Sequence, residues 1–455
     1  MNSVKKKWYV YLALMLLCLF IFACSNTNRS DEENEGNNNG NEVNAKPKIV
    51  DEQVATADAP ITITVAYPWG EDQFDDRFGP IDEKFEELEI EFASYDGSSE
   101  SLQEMFAAEI VPDIIVSSPT DIVPLEEADA IFPLNDLVEQ EGFDLDRINP
   151  ALISLIKGFD SEGRLIGLPD GTGLFGLYYN KEVFDLFGVD YPDPDEPMTW
   201  EEVLDIASKM TREHNGQEYL GLEFGGSGSV SEIAEVPLKQ LATSMTDPET
   251  GEVLITEKPE FTSYLELMEE YYSIPGMRSE TALENDMFAQ KRAAMTINWH
   301  NYLAYGWGDT EYIRDMDVAP VPVWEDKPDT GPYLGTATMV VTTYSENKVS
   351  AFRVLEEYLS NDNQVSIAKT MASGPAVIET EVIEAFGESL EEYETLDTSV
   401  FFKLEGATFD EYSHFDRYVD IDLEEFSKLD IDINTFLRKT KEEAEATITD
   451  ALESK

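Results

Sequence analysis

Both cysteines of this 455-residue chain, Cys18 and Cys24, fall within its first 24 residues. Everything downstream must fold without a disulfide, a thiol nucleophile, a cysteine-ligated zinc or an iron–sulfur cluster. Such a chain is held together by buried apolar surface. Residues 61–455 are long enough to bury it, and too long for one ordinary core, which suggests two lobes.

The cysteines also speak to processing. Lys5, Lys6 and Lys7 precede an apolar run from Trp8 to Phe22 that is short for a membrane span and suits a secretory leader. The run closes on Ile-Phe-Ala-Cys (21–24), which resembles a bacterial lipobox. The expectation is a signal peptide over 1–23, a lipid on Cys24 and a disordered tether to residue 60. Residues 25–60 are rich in Asn, Glu and Gly and nearly free of aromatics, too polar to bury a core. As a coil they would reach roughly 30–36 Å.

The formal net charge is −63, and the first 60 residues, with six Lys/Arg against eight Asp/Glu, contribute almost none of it. A folded body so acidic repels nucleic acid and anionic headgroups, so neither is expected as a partner. Solubility in a saline or alkaline medium explains it more simply than a cationic partner.

Period-two alternation in ITITVAY (61–67) predicts a strand ended by Pro68-Trp69-Gly70, and Ile81, Phe85 and Leu88 suggest a helix behind it. Residues 113–118 read as a buried parallel strand. Thr199 and Glu202 form a capping box, and Trp200, Val203, Leu204, Ala207 and Met210 share one face of a helix over 199–210. Strands at 293–298 and 336–343, a helix near 349–359 and a long amphipathic helix at 433–452 complete an α/β pattern.

Catalytic patterns are missing. His214, His300 and His414 are far apart and lack metal-ligand spacing. Residues 225–229 read Gly-Gly-Ser-Gly-Ser rather than a nucleophile elbow, and there is no Walker loop. The acidic stretch 420–434 lacks the glycine of a calcium loop. No cofactor or metal is expected.

Four segments in register resemble family 1 extracellular solute-binding proteins, the maltose-binding-protein-like receptors of ABC importers. They are LYYNKEVFDLFGVDYPDPDEPMTWEEVL (177–204), FAQKRAAMTINW (288–299), GPYLGTATMVVTTYSENKVSAFRVLEEYLS (331–360) and the turn Gly374-Pro375-Ala376. The chain departs from the pattern at Arg292, at His300 and Asn301 behind the tryptophan, and in the acidic stretch 379–432. The resemblance implies an α/β, two-lobed, type II periplasmic-binding-protein-like fold. One lobe would hold 61–172 with 335–388, the other 173–334 with 389–455, joined by hinge crossings. It further implies a monomeric, lipid-anchored receptor on the outer face of the cell membrane, delivering a sugar or oligosaccharide to a permease. The alternatives are a receptor for another solute, a surface polysaccharide-active enzyme and a structural or adhesion protein.

A sugar site needs flat aromatic faces and planar polar groups. Trp69 follows the first strand, where a parallel sheet offers its ligand edge. Trp299 stands where the family has a stacking tryptophan, and Ser118 and Asp121 match a polar ligand position. Asp170 lies at the first crossing between lobes, where a carboxylate accepts hydroxyls. Of Tyr178 and Tyr179, which alternate, one is expected to face the cleft, and Tyr178 is the candidate. Ser227 and Ser229 could reach from a glycine-rich loop, Tyr302 and Trp307 stand near Trp299, and Trp200 is expected to be structural.

Overall fold

The computed structural model describes residues 48–118, 122–224, 232–278, 286–306, 314–428 and 431–453. In chain order the strands are β1 (Ile61–Tyr67), β2 (Leu88–Ser94), β3 (Ile114–Ser117), β4 (Leu168–Pro169), β5 (Phe175–Asn180), β6 (Arg212–His214), β7 (Gln217–Phe224), β8 (Ala293–Trp299), β9 (Met316–Pro320), β10 (Thr330–Gly331), β11 (Thr338–Val341) and β12 (Glu405–Gly406). Ten of them make two five-stranded sheets, ordered β2-β1-β3-β11-β4 and β6-β7-β8-β5-β9, and β10 pairs with β12. In the first sheet β1 runs parallel to β2 and β3, and β11 runs antiparallel to β3 and β4. In the second, β7 and β8 are parallel, while β5 opposes both β8 and β9.

Each sheet carries its own core. One is built on Ile61, Ile63, Val65, Phe78, Ile115, Val340 and Phe352. The other gathers Leu177, Trp200, Leu222, Phe261, Met295, Phe401 and Phe436. A fully buried apolar side chain is worth about 1.5–3 kcal/mol relative to water, so two such cores can stabilise the chain without a cross-link.

Local pattern explains most elements. Helix Trp200–Met210 has the anticipated capping box, with Thr199 and Glu202 satisfying each other's backbone N–H, and buries all five residues of its apolar face. Leu88, read above as helical, instead opens β2 opposite Ile61, because the helix spans Glu71–Lys84. Its strand alternates Leu-Glu-Ile-Glu-Phe, an edge pattern that glutamates disguise.

Asp51 and Glu52, placed in the expected tether above, make specific contacts with the first sheet's side. Asp51 accepts the backbone N–H groups of Val349 (2.7 Å) and Ser350 (3.0 Å), capping helix Lys348–Tyr358, and Glu52 N–H donates to Glu346 O at 3.0 Å. A carboxylate at a helix N-terminus satisfies otherwise orphaned donors. Residues 1–47, with Cys24, lie outside the described residues.

The chain passes from the first core to the second after β4, returns before β11, and passes over again between Val382 and Phe386. Segments 170–174 and 335–337 and the turn 372–374 are laced together where they meet. Thr172 N–H donates to Gly374 O (2.8 Å), Gly173 N–H to Gly335 O (2.7 Å) and Asp170 N–H to Ala337 O (3.1 Å).

Candidate functional site

Strand register shows which edges adjoin this weld. Thr338 pairs with both Ser117 and Pro169, so the crossings leave the first sheet at the carboxyl end of β3. Phe175 pairs with Trp299, so they join the second sheet at the carboxyl end of β8. The carboxyl ends of parallel strands are where open α/β sheets receive ligands.

On the first sheet Trp69 follows β1 and is 40% exposed, its ring meeting that of buried Tyr67 edge-on at 5.2 Å. Ser118 is half-buried behind β3, and its carbonyl accepts the Ser117 hydroxyl. Asp121 lies outside the described residues. Asp170 begins the first crossing with its side chain 13% exposed, 3.9 Å from Arg77 Nη1. Burial holds its carboxyl above the usual range, against the pull of Arg77. Arg77 in turn donates to the Tyr358 hydroxyl at 2.9 Å.

Sequence reasoning passed over Arg77. It sits on the buried stripe Phe74, Arg77, Phe78, Ile81 of its helix. A charge in step with an apolar face is the signal that finds such a residue.

On the second sheet Trp299 is half-buried. Its ring lies 4.1 Å from that of Phe175, and the Lys239 ammonium stands 5.9 Å from its centroid. Trp299 Cζ3 would be only 2.4 Å from a Cβ added to Gly173, and Cη2 4.0 Å from one on Gly335. The ring thus lies across both crossing segments, which only glycine at 173 allows.

Tyr178 does not reach the cleft. It is fully buried, and its hydroxyl donates to the carbonyls of Trp299 (2.9 Å) and His300 (3.2 Å). Tyr179 is buried on the other face, against Phe184 and Tyr191. Alternation implied that one face of β5 is open. All six residues of β5 are buried, so both of its faces are covered. Trp200 is in the core as expected, its indole N–H on Gln240 Oε1. Tyr302 packs on Tyr178 at 5.4 Å, whereas Trp307, Ser227 and Ser229 lie outside the described residues.

Among the described residues, no group of His, Cys, Asp or Glu is arranged to hold a metal, and no helix is long and apolar enough to cross a membrane.

Residues 79–365 match the profile of the bacterial extracellular solute-binding proteins, well over half of the chain. The chain belongs to that family. It is a family of solute-binding proteins rather than enzymes, which sets aside the polysaccharide-active enzyme. The sn-glycerol-3-phosphate-binding periplasmic protein UgpB of Escherichia coli K12 is 26% identical over 213 residues, 42% of this chain. The match spans about half of that relative's length, 46%. Two solved structures share the fold. The cyclic alpha-maltosyl-1,6-maltose binding protein of Arthrobacter globiformis superposes with a TM-score of 0.67 at 16% identity, covering 86% of this chain and 100% of that one. Lmo0181 of Listeria monocytogenes, an ABC substrate-binding protein in complex with cycloalternan, gives 0.64 at 16% identity, covering 86% and 99%. The fold is the two-lobed, type II periplasmic-binding-protein architecture.

Proposed function

We propose that this protein is the receptor of an ABC importer, closing its lobes on a neutral sugar or oligosaccharide and presenting the closed form to a membrane permease. The observation that carries the reading is the pair of tryptophans, Trp69 and Trp299, each at the ligand edge of a different sheet and either side of one weld. Flat rings suit the C–H faces of a pyranose, and Asp170 and Ser118 offer acceptors for its hydroxyls. A solute touching both lobes only when they are shut shifts the population toward closure. The same edge disfavours a phosphate: Glu71 and Asp72 occupy the first turn of the helix behind Trp69, in a chain of net charge −63. The binding of oligosaccharides by proteins of this fold supports the reading. The glycerol-3-phosphate relative is the counterweight.

The lobes are read as 61–172 with 335–388 and 173–334 with 389–455. The receptor is read as a monomer tethered outside the cell through a lipid on Cys24.

Thermal shift against mannotriose, maltotriose, sn-glycerol 3-phosphate, amino acids and oligopeptides tests the ligand class, since binding to the folded state raises Tm. A rise with a neutral oligosaccharide, recovered uncleaved, is expected. A rise with sn-glycerol 3-phosphate alone replaces the sugar reading. Metabolic fatty-acid labelling tests the anchor: label persisting in Cys24→Ser overturns it.

A further inference from the structure

We propose that His300 is the positioning residue of the hinge, a neutral imidazole whose two nitrogens tie the first crossing to the turn after helix Asn361–Met371 and so set how far the lobes open beside Trp299. The consequence for a solute rests on the reading that Trp299 meets it; the latch itself does not.

His300 follows Trp299 at the end of β8 and is 4% exposed. Its backbone is fixed from two sides. The N–H donates to Leu174 O at 2.8 Å, and the carbonyl accepts the hydroxyls of Tyr178 (3.2 Å) and Tyr393 (2.7 Å). Gly374 N–H donates to Nε2 at 2.9 Å, Leu174 N–H donates to Nδ1 at 3.0 Å, and Leu174 O lies 3.1 Å from Nδ1. Each ring nitrogen thus faces a backbone N–H, so a doubly protonated ring would oppose a donor on both sides.

The partners on either side are themselves held by the weld. Gly374 O holds Thr172 N–H, and a Cβ at 374 would stand 2.2 Å from Thr172 O. Phe386 and Phe401 wall the ring at 5.6 and 6.5 Å. The charged group that reaches it is Arg77, from helix Glu71–Lys84, itself 3.9 Å from Asp170; the other titratable groups around it are the Tyr178 and Tyr393 hydroxyls. Burial, with Arg77 adding to it, brings the imidazole down to about 4. Any rotation of the lobes alters the crossing torsions, and this ring bonds both to the first crossing, at Leu174, and to the turn at Gly374 that is laced to it. His300 is therefore a latch between lobes, placed one residue from the candidate stacking ring.

Spin labels at Glu139→Cys on the first lobe and Glu269→Cys on the second, in the full chain with Cys18→Ser and Cys24→Ser, report the interlobe distance without a solute. His300→Ala is expected to broaden the distribution toward longer distances. His300→Gln, whose amide oxygen can accept the Gly374 N–H, should restore the narrow one. Acidifying the wild-type chain from pH 7 to 4 should broaden it as well, and should leave the glutamine variant unchanged. If the alanine variant does not fold, the glutamine and pH measurements decide. An unchanged distribution in a folded His300→Ala, or an equal pH response in His300→Gln, overturns the proposal. Because no solute is present, a chain that binds no sugar yet widens with acid keeps the latch and loses only the sugar reading.

Discussion

The two tryptophans that flank the weld occupy the same topological place and have different surroundings. Trp69 touches Tyr67 with its edge and is 40% exposed. Trp299 lies against Phe175, across Gly173 and beside Lys239, one residue from a histidine that bonds both the first crossing and the turn at Gly374. One is an adaptable surface; the other is set in advance by the fold. Preorganised contacts bind without paying the entropy of ordering. Trp299 is therefore expected to matter for both binding and stability, Trp69 for binding alone.

A third tryptophan sets the scale for breaking this comparison. Trp200→Ala removes a fully buried ring and orphans Gln240 Oε1, and should lower stability by roughly 3–5 kcal/mol with little change in solute affinity among molecules that remain folded. Chemical denaturation with calorimetric titration measures both.

Acid acts on the second-core side through three groups, Glu223, Asp416 and His300. Burial raises Glu223 to about 7 and Asp416 to about 6. Folded chains keep these protons where unfolded ones have lost them, so this stabilisation is present at low pH and is lost as pH rises through 6 and 7. His300 acts in reverse. The unfolded chain takes up a proton near 6.5 that the folded chain refuses until about 4, so stability is lost as pH falls through that window. From pH 7 to 5 the carboxyls together add roughly 3–4 kcal/mol and His300 removes roughly 2. Denaturant midpoints should rise as pH falls from 7 to 5, and His300→Gln should steepen that rise.

Removing the two flanking rings tests the comparison itself. Trp299→Ala should weaken the solute by about 1–3 kcal/mol, tenfold or more, and lower Tm as well. Trp69→Ala should weaken binding by a similar or smaller amount and leave Tm almost unmoved. Equal Tm losses in the two would erase the distinction. The smallest change is Gly173→Ala, which leaves Trp299 in place but puts a methyl 2.4 Å from its Cζ3. It should reduce affinity by about 1 kcal/mol or more through displacement of the ring, with overpacking on the order of 1–3 kcal/mol in stability. Quenching of indole fluorescence would register the shift.

Much of the architecture was legible where the signal is local. The strand at 61–67 and the helix behind Thr199 follow from residues within one or two turns of each other, and β8 begins and nearly ends where its apolar run does. The candidate site was legible only in part. Trp69 and Trp299 do stand at strand ends. Tyr178 was misplaced because period two tells which residues share a face of β5 but not whether that face is covered, and here Tyr302 and Phe401 pack on one face and Phe184 and Tyr191 on the other. Arg77 and His300 were missed because each draws its role from partners hundreds or scores of residues away, Tyr358 for one and Leu174 and Gly374 for the other.

By itself the sequence determined that the folded body has no thiol chemistry, that it is strongly acidic, that it alternates strands with helices, and that tryptophans follow two of those strands. Composition and short-range period carry that information, because side-chain direction in a strand or helix is set by geometry within a few residues. Only the tertiary structure decided which tryptophan is exposed and which is braced, where Asp51 docks, and that a histidine joins the first crossing to the turn at Gly374. Those are outcomes of distant segments competing for the same buried donors and the same space, and no local period records which of them meet.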